Sequence, residues 1–256
     1  MKRIFQSAYL FFIYLFLYIP ILILVVYSFN TSRFSTNWQG FTLNWYRVLF
    51  TDGPLMEAFA NSLIIALSSS TIATVLGTLG AFAFYRYRFL GRQIMYSFVY
   101  ILMMSPDIVM GISLLLFFIT LGLSVGAVTL LLAHVTFCLP FVMVTVYARI
   151  SGFDRNIIDV AKDLGASELQ MFRHVMLPML MPGIIAGWLL SFTLSLDDVI
   201  VSFFTTGPSF EILPLKIYSM VRLGIKPEIN ALSAVMFLVS LFTVTIAHFI
   251  IAKENR

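Results

Sequence analysis

The stretch from Gln93 to Tyr147 is 55 residues long and carries a single formal charge, on Asp107. A transmembrane helix needs about 20 predominantly apolar residues, so this stretch is too long for one span. It divides at residues 121–126, where two glycines predict a reversal of the chain between two spans. A water-soluble domain is excluded, because only 11% of the residues are charged, against about 25% in an average soluble domain.

Four further apolar runs accompany these two. We therefore predict an all-α integral membrane protein that forms a single transmembrane domain over residues 1–256. The six predicted spans are about 4–29, 60–84, 94–120, 127–147, 180–204 and 231–252. The first run is about twice as long as the apolar part of a secretory signal peptide and lacks a small-residue cleavage site, so we interpret it as a retained span.

The distribution of Lys and Arg predicts the orientation in the membrane. Eleven of the 16 basic residues lie in the N-terminus, the 85–93 and 148–179 segments and the C-terminus, and five lie in the remaining loops. Positive charge is retained on the cytoplasmic side. Both termini and the 148–179 loop are therefore predicted to be cytoplasmic, and the net charge of +4 gives no reason to expect nucleic acid as a partner.

Small residues are concentrated in spans two and five. Gly183 and Gly187 have the spacing that lets two helices approach closely. Composition leaves two interpretations open, namely packing within this chain and contact with a second membrane subunit.

The 148–179 loop predicts two short amphipathic helices joined at Gly165. Apolar residues of the first recur at helical spacing: Ile157, Ile158, Ala161 and Leu164. Ser151 with Asp154 forms a weak capping box before the first helix, and Ser167 with Gln170 forms one before the second. The apolar stripe is expected to be exposed, because the loop alone cannot bury it.

Charge in this loop is nearly balanced, with four acidic and three basic residues between 154 and 173. Helices that lie on an anionic membrane surface are mostly basic. The balance therefore favours a protein partner over the bilayer surface.

The same loop resembles the cytoplasmic signature of the membrane subunits of ATP-binding-cassette importers. That signature reads Glu-Ala-Ala, three residues, Gly, nine residues and Ile-x-Leu-Pro. Here Asp159, Val160 and Val175 replace the Glu, the first Ala and the Ile, while Gly165 and Leu177-Pro178 are in register.

The resemblance implies a type I importer permease fold, with a cytoplasmic coupling helix between helices 4 and 5 that docks on an ATPase subunit. The coupling residues carried over are Asp159, Ala161, Gly165, Leu177 and Pro178. The implied partners are an ATPase dimer, a second membrane permease subunit of different sequence, and an extracytoplasmic substrate-binding protein. ATP and Mg²⁺ are expected on the ATPase, with no cofactor in this chain.

Segments 104–110, 194–200 and 206–214 narrow the resemblance to the permeases of polyamine importers, which move spermidine and putrescine. Of the two membrane subunits of such importers, the resemblance is to the one conventionally named second. It implies a polyamine substrate and a bacterial inner membrane location.

Three charged residues fall inside the predicted spans: Asp107, Asp197 and Asp198. A buried carboxylate in a bilayer normally faces protein or a water-filled path, so all three are candidates for a cationic substrate path. The alternative for Asp107 is a structural role, since Ser105-Pro106 is typical of a helix restart with Ser as N-cap. On a helix, neighbouring residues point about 100° apart, so we expect only one of the other two to face the path.

Histidines are few and give no ligand spacing. His134 and His248 lie alone on apolar helices and are expected to be hydrogen-bonded packing residues, with no metal site, and His174 is expected to be solvated. The chain has no G-x-S-x-G, H-E-x-x-H or P-loop sequence, so no catalytic residue is assigned and an intramembrane enzyme is disfavoured. The remaining alternatives are an importer subunit for another small solute and a stand-alone secondary carrier.

Overall fold

The computed structural model describes residues 2–32, 37–154, 156–223 and 227–254. Among these residues the secondary structure is helical, apart from one antiparallel bridge between Asn30 and Phe41. The helices are α1 (Lys2–Tyr27), α2 (Asn44–Thr51), α3 (Gly53–Arg86), α4 (Arg92–Met104), α5 (Asp107–Thr120), α6 (Ala127–Ser151), α7 (Asn156–Asp163), α8 (Glu168–Met171), α9 (Leu177–Asp197), α10 (Ile200–Thr205), α11 (Leu213–Leu223) and α12 (Pro227–Glu254).

Long apolar helices confirm the all-α membrane architecture. In the described part of the chain, four helical runs are long and apolar enough to cross a bilayer: Tyr9–Tyr27, Gly53–Arg86, Ala127–Ser151 and Glu168–Asp197. The pair α4 and α5 makes a fifth if it is one broken span. The last predicted span lies in α12, where the described apolar segment is the shorter Glu228–Phe242. The number six, and the single domain over residues 1–256, stay predictions.

The predicted span 94–120 is interrupted, because α4 and α5 meet at 112°. Pro106 accounts for the break. Its ring disfavours helical geometry in the preceding residue, and Ser105 accordingly has an extended ψ of 134°. The expected helix restart occurs, but Pro106 itself is the N-cap residue and Ser105 lies outside α5.

The predicted span 180–204 is also interrupted. Helix α9 ends at Asp197, Asp198 is extended with ψ 126°, and α10 begins at Ile200. The expected reversal at residues 121–126 is present, with Gly122 at φ +70°.

The chain divides into two compact units. One comprises Met1–Ala58 with Lys216–Thr243, and the other comprises Phe59–Leu215 with Val244–Arg256. In the first unit, the indole Nε1 of Trp45 donates to the carbonyl oxygen of Asn30 at 2.7 Å, and Phe29 stacks on Phe41 with ring centroids 5.2 Å apart. These contacts fix the segment that follows α1.

In the second unit, α6 is the central helix, and α9 packs along it. A Cβ on Gly183 would lie 2.9 Å from Cβ of Arg149, and one on Gly187 would lie 3.2 Å from Cγ1 of Val142. Both glycines therefore serve packing within this chain, which is the first of the two interpretations. Lipid is as apolar as a leucine side chain, so close packing and hydrogen bonds, more than burial, hold such helices together.

Candidate functional site

The turn after α7 is built around Gly165. The N–H of Gly165 donates to the carbonyl of Lys162 at 2.8 Å, and the N–H of Ala166 donates to the carbonyl of Ala161 at 3.0 Å. This pair of bonds is the Schellman arrangement, which places a left-handed residue directly after a helix. Gly165 has φ +83° and meets no other atom within 4 Å of its would-be Cβ, so the backbone conformation alone requires glycine there.

Capping of the two loop helices follows the prediction only in part. The capping box of Ser167 and Gln170 is present, with both reciprocal hydrogen bonds made. The predicted box of Ser151 and Asp154 is wrong, because Ser151 belongs to α6 and its hydroxyl donates to the carbonyl of Ala148 at 2.9 Å. Asp154 itself performs the capping, accepting from the N–H of Asn156 at 3.0 Å.

Half of the predicted exposed stripe is buried in the chain's own core. Ile158 and Ala161 are 7% and 8% exposed and pack with residues of α3, α6 and α9. The apolar residues that remain open are Val160, Leu164 and Leu169, exposed by 55%, 83% and 74%. One face of α7 therefore packs against the core, and the other face is exposed. Successive residues of a helix point about 100° apart, so two turns are enough to provide both faces.

Two ion pairs meet at Glu168: one joins the loop to Arg86 at the end of α3, and the other joins α7 to α8 within the loop. Glu168 accepts hydrogen bonds from Lys162 and from Arg86, each at 3.0 Å. These two cations hold the pKa of the Glu168 carboxyl below its usual value. All three groups are partly solvated, so each pair stabilises the loop only modestly.

The structure places the five predicted coupling residues in different environments. Ala161 faces the core, whereas Asp159, Gly165 and Pro178 are exposed and Leu177 is half-buried. A π-helical turn, Phe172–Met176, joins α8 to α9, and Pro178 lies in the first turn of α9.

Asp107 lies in the first turn of α5, directly after the 112° bend. Its side chain is exposed and forms no hydrogen bond or ion pair with the residues that the structure describes. The carbonyl of Pro106 accepts the first hydrogen bonds of the helix, from the N–H groups of Val109 and Met110, and no described side chain caps this end. Capping by the Asp107 carboxylate is therefore absent from this part of the chain.

Asp197 and Asp198 have opposite environments. Asp197 is exposed at the end of α9. Asp198 has a side chain only 9% exposed, and its carboxylate accepts from the N–H groups of Val201 and Ser202 at 3.3 and 2.7 Å. Asp198 thus caps α10 after the break in the predicted fifth span, whereas Asp197 is exposed.

His134 connects Asp198 to the rest of the bundle. Its Nε2 lies 2.9 Å from the hydroxyl of Ser202 and 3.6 Å from Asp198, and its Nδ1 lies 2.6 Å from the hydroxyl of Ser195. Ser195 bonds in turn to Ser69 of α3 at 2.9 Å. His134 is fully buried, so the expected hydrogen-bonded packing role is confirmed.

Helices α5 and α10 come together at Gly111. A Cβ there would lie 2.7 Å from Cδ2 of Phe204, so only glycine permits this approach. The contact brings α5, which begins at Asp107, alongside α10, which Asp198 caps.

Comparison with known proteins identifies the family. The model of the family described as binding-protein-dependent transport system inner membrane component matches residues 73–254. The chain belongs to this family. Because it is an inner-membrane component of a transport system and has several apolar helices, it is a multi-pass membrane permease.

Individual relatives of this permease cover nearly the whole chain. It is 54% identical over 253 residues to the spermidine/putrescine transport system permease protein PotC of Escherichia coli K12, covering 99% of this chain and 96% of that protein. It is 50% identical over 257 residues to the protein of the same name from Haemophilus influenzae, covering all of both. The putrescine transport system permease protein PotI of Escherichia coli K12 is 43% identical over 228 residues, covering 86% of this chain and 81% of that protein.

Solved structures support the permease fold. A bacterial ABC transporter involved in the import of the acidic polysaccharide alginate matches with a TM-score of 0.74, covering 98% of this chain and 95% of that chain at 16% identity. At that identity the likeness concerns the fold alone.

Sequence reasoning missed the serines of the buried network in this permease. Ser69, Ser195 and Ser202 sit among other small residues in apolar helices. Nothing in their local pattern distinguishes them, because their partners lie on helices far away in the sequence. The lone apolar-face histidine, His134, was the one available signal.

Proposed function

We propose that this chain is a non-catalytic transmembrane subunit of an ATP-driven importer, and that it moves polyamines across the inner membrane by alternating access. The observation that carries the substrate class is the 54% identity over 99% of the chain to a permease of a spermidine/putrescine transport system. The wider features of the proposal are six spans, cytoplasmic termini, and partnership with an ATPase dimer, a second permease and an extracytoplasmic binding protein.

The loop around Gly165 supports the coupling role. Its anchored face holds α7 on α6 and α9, so a force on the exposed face is transmitted into the bundle. The exposed face offers Val160, Leu164 and Leu169 between charged residues, which suits a groove on a protein partner.

The acidic residues support a cationic substrate. Asp107 and Asp197 are exposed carboxylates with no cation paired to them among the described residues. We propose that they line the polyamine path, and that Asp198 shapes it by holding the break between α9 and α10.

Uptake in a bacterial strain lacking its own polyamine permeases tests this function. The chain is expressed with its genomic neighbours, and entry of radiolabelled spermidine, putrescine and, as a matched control, methionine is measured with and without ATP depletion. We expect ATP-dependent uptake of at least one polyamine that the empty strain, without these genes, does not show, and methionine uptake no greater than in the empty strain. Uptake of neither polyamine by a fully assembled complex would overturn the substrate assignment, and ATP-independent uptake would favour a stand-alone carrier.

A further inference from the structure

Two adjoining clefts lie in the second unit, where α3 ends and α4 begins. The smaller has a volume of about 250 Å³ and is lined by Tyr85, Arg86, Arg88, Arg92, Ile158 and Asp159. The larger has a volume of about 640 Å³ and shares Arg88 and Arg92 with the first. Its other walls include the apolar and aromatic residues Phe89, Leu90, Ile94, Tyr96 and Tyr147. The smaller cleft is a polar compartment and the larger cleft is an apolar one, and the two share Arg88 and Arg92.

The cations of the polar compartment are incompletely neutralised. Arg86 pairs with Glu168 through one guanidinium nitrogen, but its Nε is buried and has no hydrogen-bond partner in the described part of the chain. The Nε of Arg92 is buried and unpartnered in the same sense. No described carboxylate forms an ion pair with Arg88 or Arg92, so Asp159 in the lining does not neutralise them.

Such buried donors lose hydration without gaining a protein acceptor, which costs free energy unless a ligand supplies one. A phosphate offers several acceptor oxygens in the geometry that guanidinium groups match. The polar compartment is therefore complementary to a phosphate group.

The segment between α3 and α4 carries side chains typical of a protein surface that contacts the membrane. Leu90 is fully exposed at the turn that Gly91 forms with φ +84°, and Phe89 and Ile94 are 40% and 65% exposed. Apolar side chains that alternate with arginines suit the boundary between acyl chains and headgroups, where Arg reaches phosphates while its neighbours enter the bilayer.

We infer that these two clefts form a binding site for an anionic phospholipid of the inner leaflet. The phosphodiester lies between Arg88 and Arg92, within reach of Arg86, and an acyl chain lies along Ile94, Tyr96 and Tyr147. This site goes beyond the proposed transport function and rests on the proposed cytoplasmic position of residues 85–93. A lipid held there would contact both the bundle and α7, which carries Ile158.

Native mass spectrometry of the complete importer tests the site. The complex is purified in detergent, supplied with equal phosphatidylglycerol and phosphatidylcholine, and scored for lipid retained per permease. The test variant is R88Q with R92Q. The matched control is R47Q with R222Q, which removes the same charge at exposed arginines outside the clefts. A third variant, R88K with R92K, keeps the charge and removes the planar donors.

We expect the wild type and the control to retain phosphatidylglycerol at least tenfold over phosphatidylcholine. The glutamine variant should lose this preference, and the lysine variant should retain part of it. Equal retention in wild type and glutamine variant would overturn the inference. Displacement of the lipid by millimolar inorganic phosphate or glycerol 3-phosphate would overturn the lipid assignment in favour of a soluble phosphate. Polyamine uptake by cells that express the same variants, measured separately, distinguishes failure of the lipid site from failure of the proposed transport function.

Discussion

Single residues at helix ends decide the local geometry of both parts of the candidate site. Gly165 ends α7 with a left-handed residue, and Asp198 starts α10 by accepting two backbone N–H groups. Gly165 supplies the positive φ that the end of α7 needs, and Asp198 supplies the acceptor that the first N–H groups of α10 need. Substitutions at these two positions therefore separate structural from functional roles.

Replacing Gly165 with Ala should disturb the coupling loop. An L-residue in the left-handed region costs about 1–2 kcal/mol, and Asn tolerates it better than Ala does. We expect G165A to reduce co-purification of the ATPase with the permease, while G165N retains more of it and membrane insertion survives in both. Unchanged co-purification and uptake in G165A would contradict the assignment of this turn to coupling.

The three acidic residues should respond differently to amidation. In D198N, one acceptor oxygen becomes a donor that faces the N–H and hydroxyl donors of α10, so we expect a loss of about 1–3 kcal/mol in stability. D107N and D197N change exposed groups and should leave the melting temperature of the purified complex unchanged.

Uptake measurements on the same variants test the path. If Asp107 and Asp197 attract a polycation, D107N and D197N should lower polyamine uptake strongly while assembly and basal ATP hydrolysis persist. Normal uptake in both single variants and in the double variant would leave these residues without a substrate role.

Small residues control the distance between packed helices. Helix α9 lies against α6 at Gly183 and Gly187, and α5 lies against α10 at Gly111. Because the surrounding lipid is apolar, these close approaches supply packing that larger side chains would abolish.

A side chain at Gly183 should separate α6 from α9. The would-be Cβ already lies 2.9 Å from Cβ of Arg149, so valine cannot fit without a backbone shift. Overpacking of this kind costs about 1–3 kcal/mol. We expect G183V to lower the melting temperature of the purified complex. Its control is G53A, where nothing lies within 4 Å of the added Cβ and the melting temperature should hold; equal melting temperatures for both would contradict the close packing.

The whole molecule has one cysteine, Cys138, which is fully buried. This makes the chain suitable for mapping its orientation with a membrane-impermeant maleimide, because the native thiol should not react. In intact cells we expect no labelling of the native cysteine, and we expect single introduced cysteines to react according to their side of the membrane.

The proposed topology fixes the outcome at two exposed positions. Q39C lies in the predicted outer loop and should be labelled in intact inner-membrane spheroplasts, whereas S167C lies in the coupling loop and should be labelled only after the membrane is opened. Labelling of S167C in intact spheroplasts would reverse the proposed orientation and remove the docking role of the loop.

Hydropathy and composition were sufficient to predict a membrane protein of long apolar helices, and a spaced motif was sufficient to predict the permease family, because these are local properties of the sequence. The sequence also located the chain reversal near Gly122 and the capping box of Ser167. The local sequence accounts for the break at Pro106. Tertiary packing sets its angle of 112°, the burial of Ile158 and Ala161, and the different environments of Asp197 and Asp198. Those features depend on which helices meet, and residues far apart in the sequence, such as Ser69, His134 and Asp198, become linked only when the bundle closes.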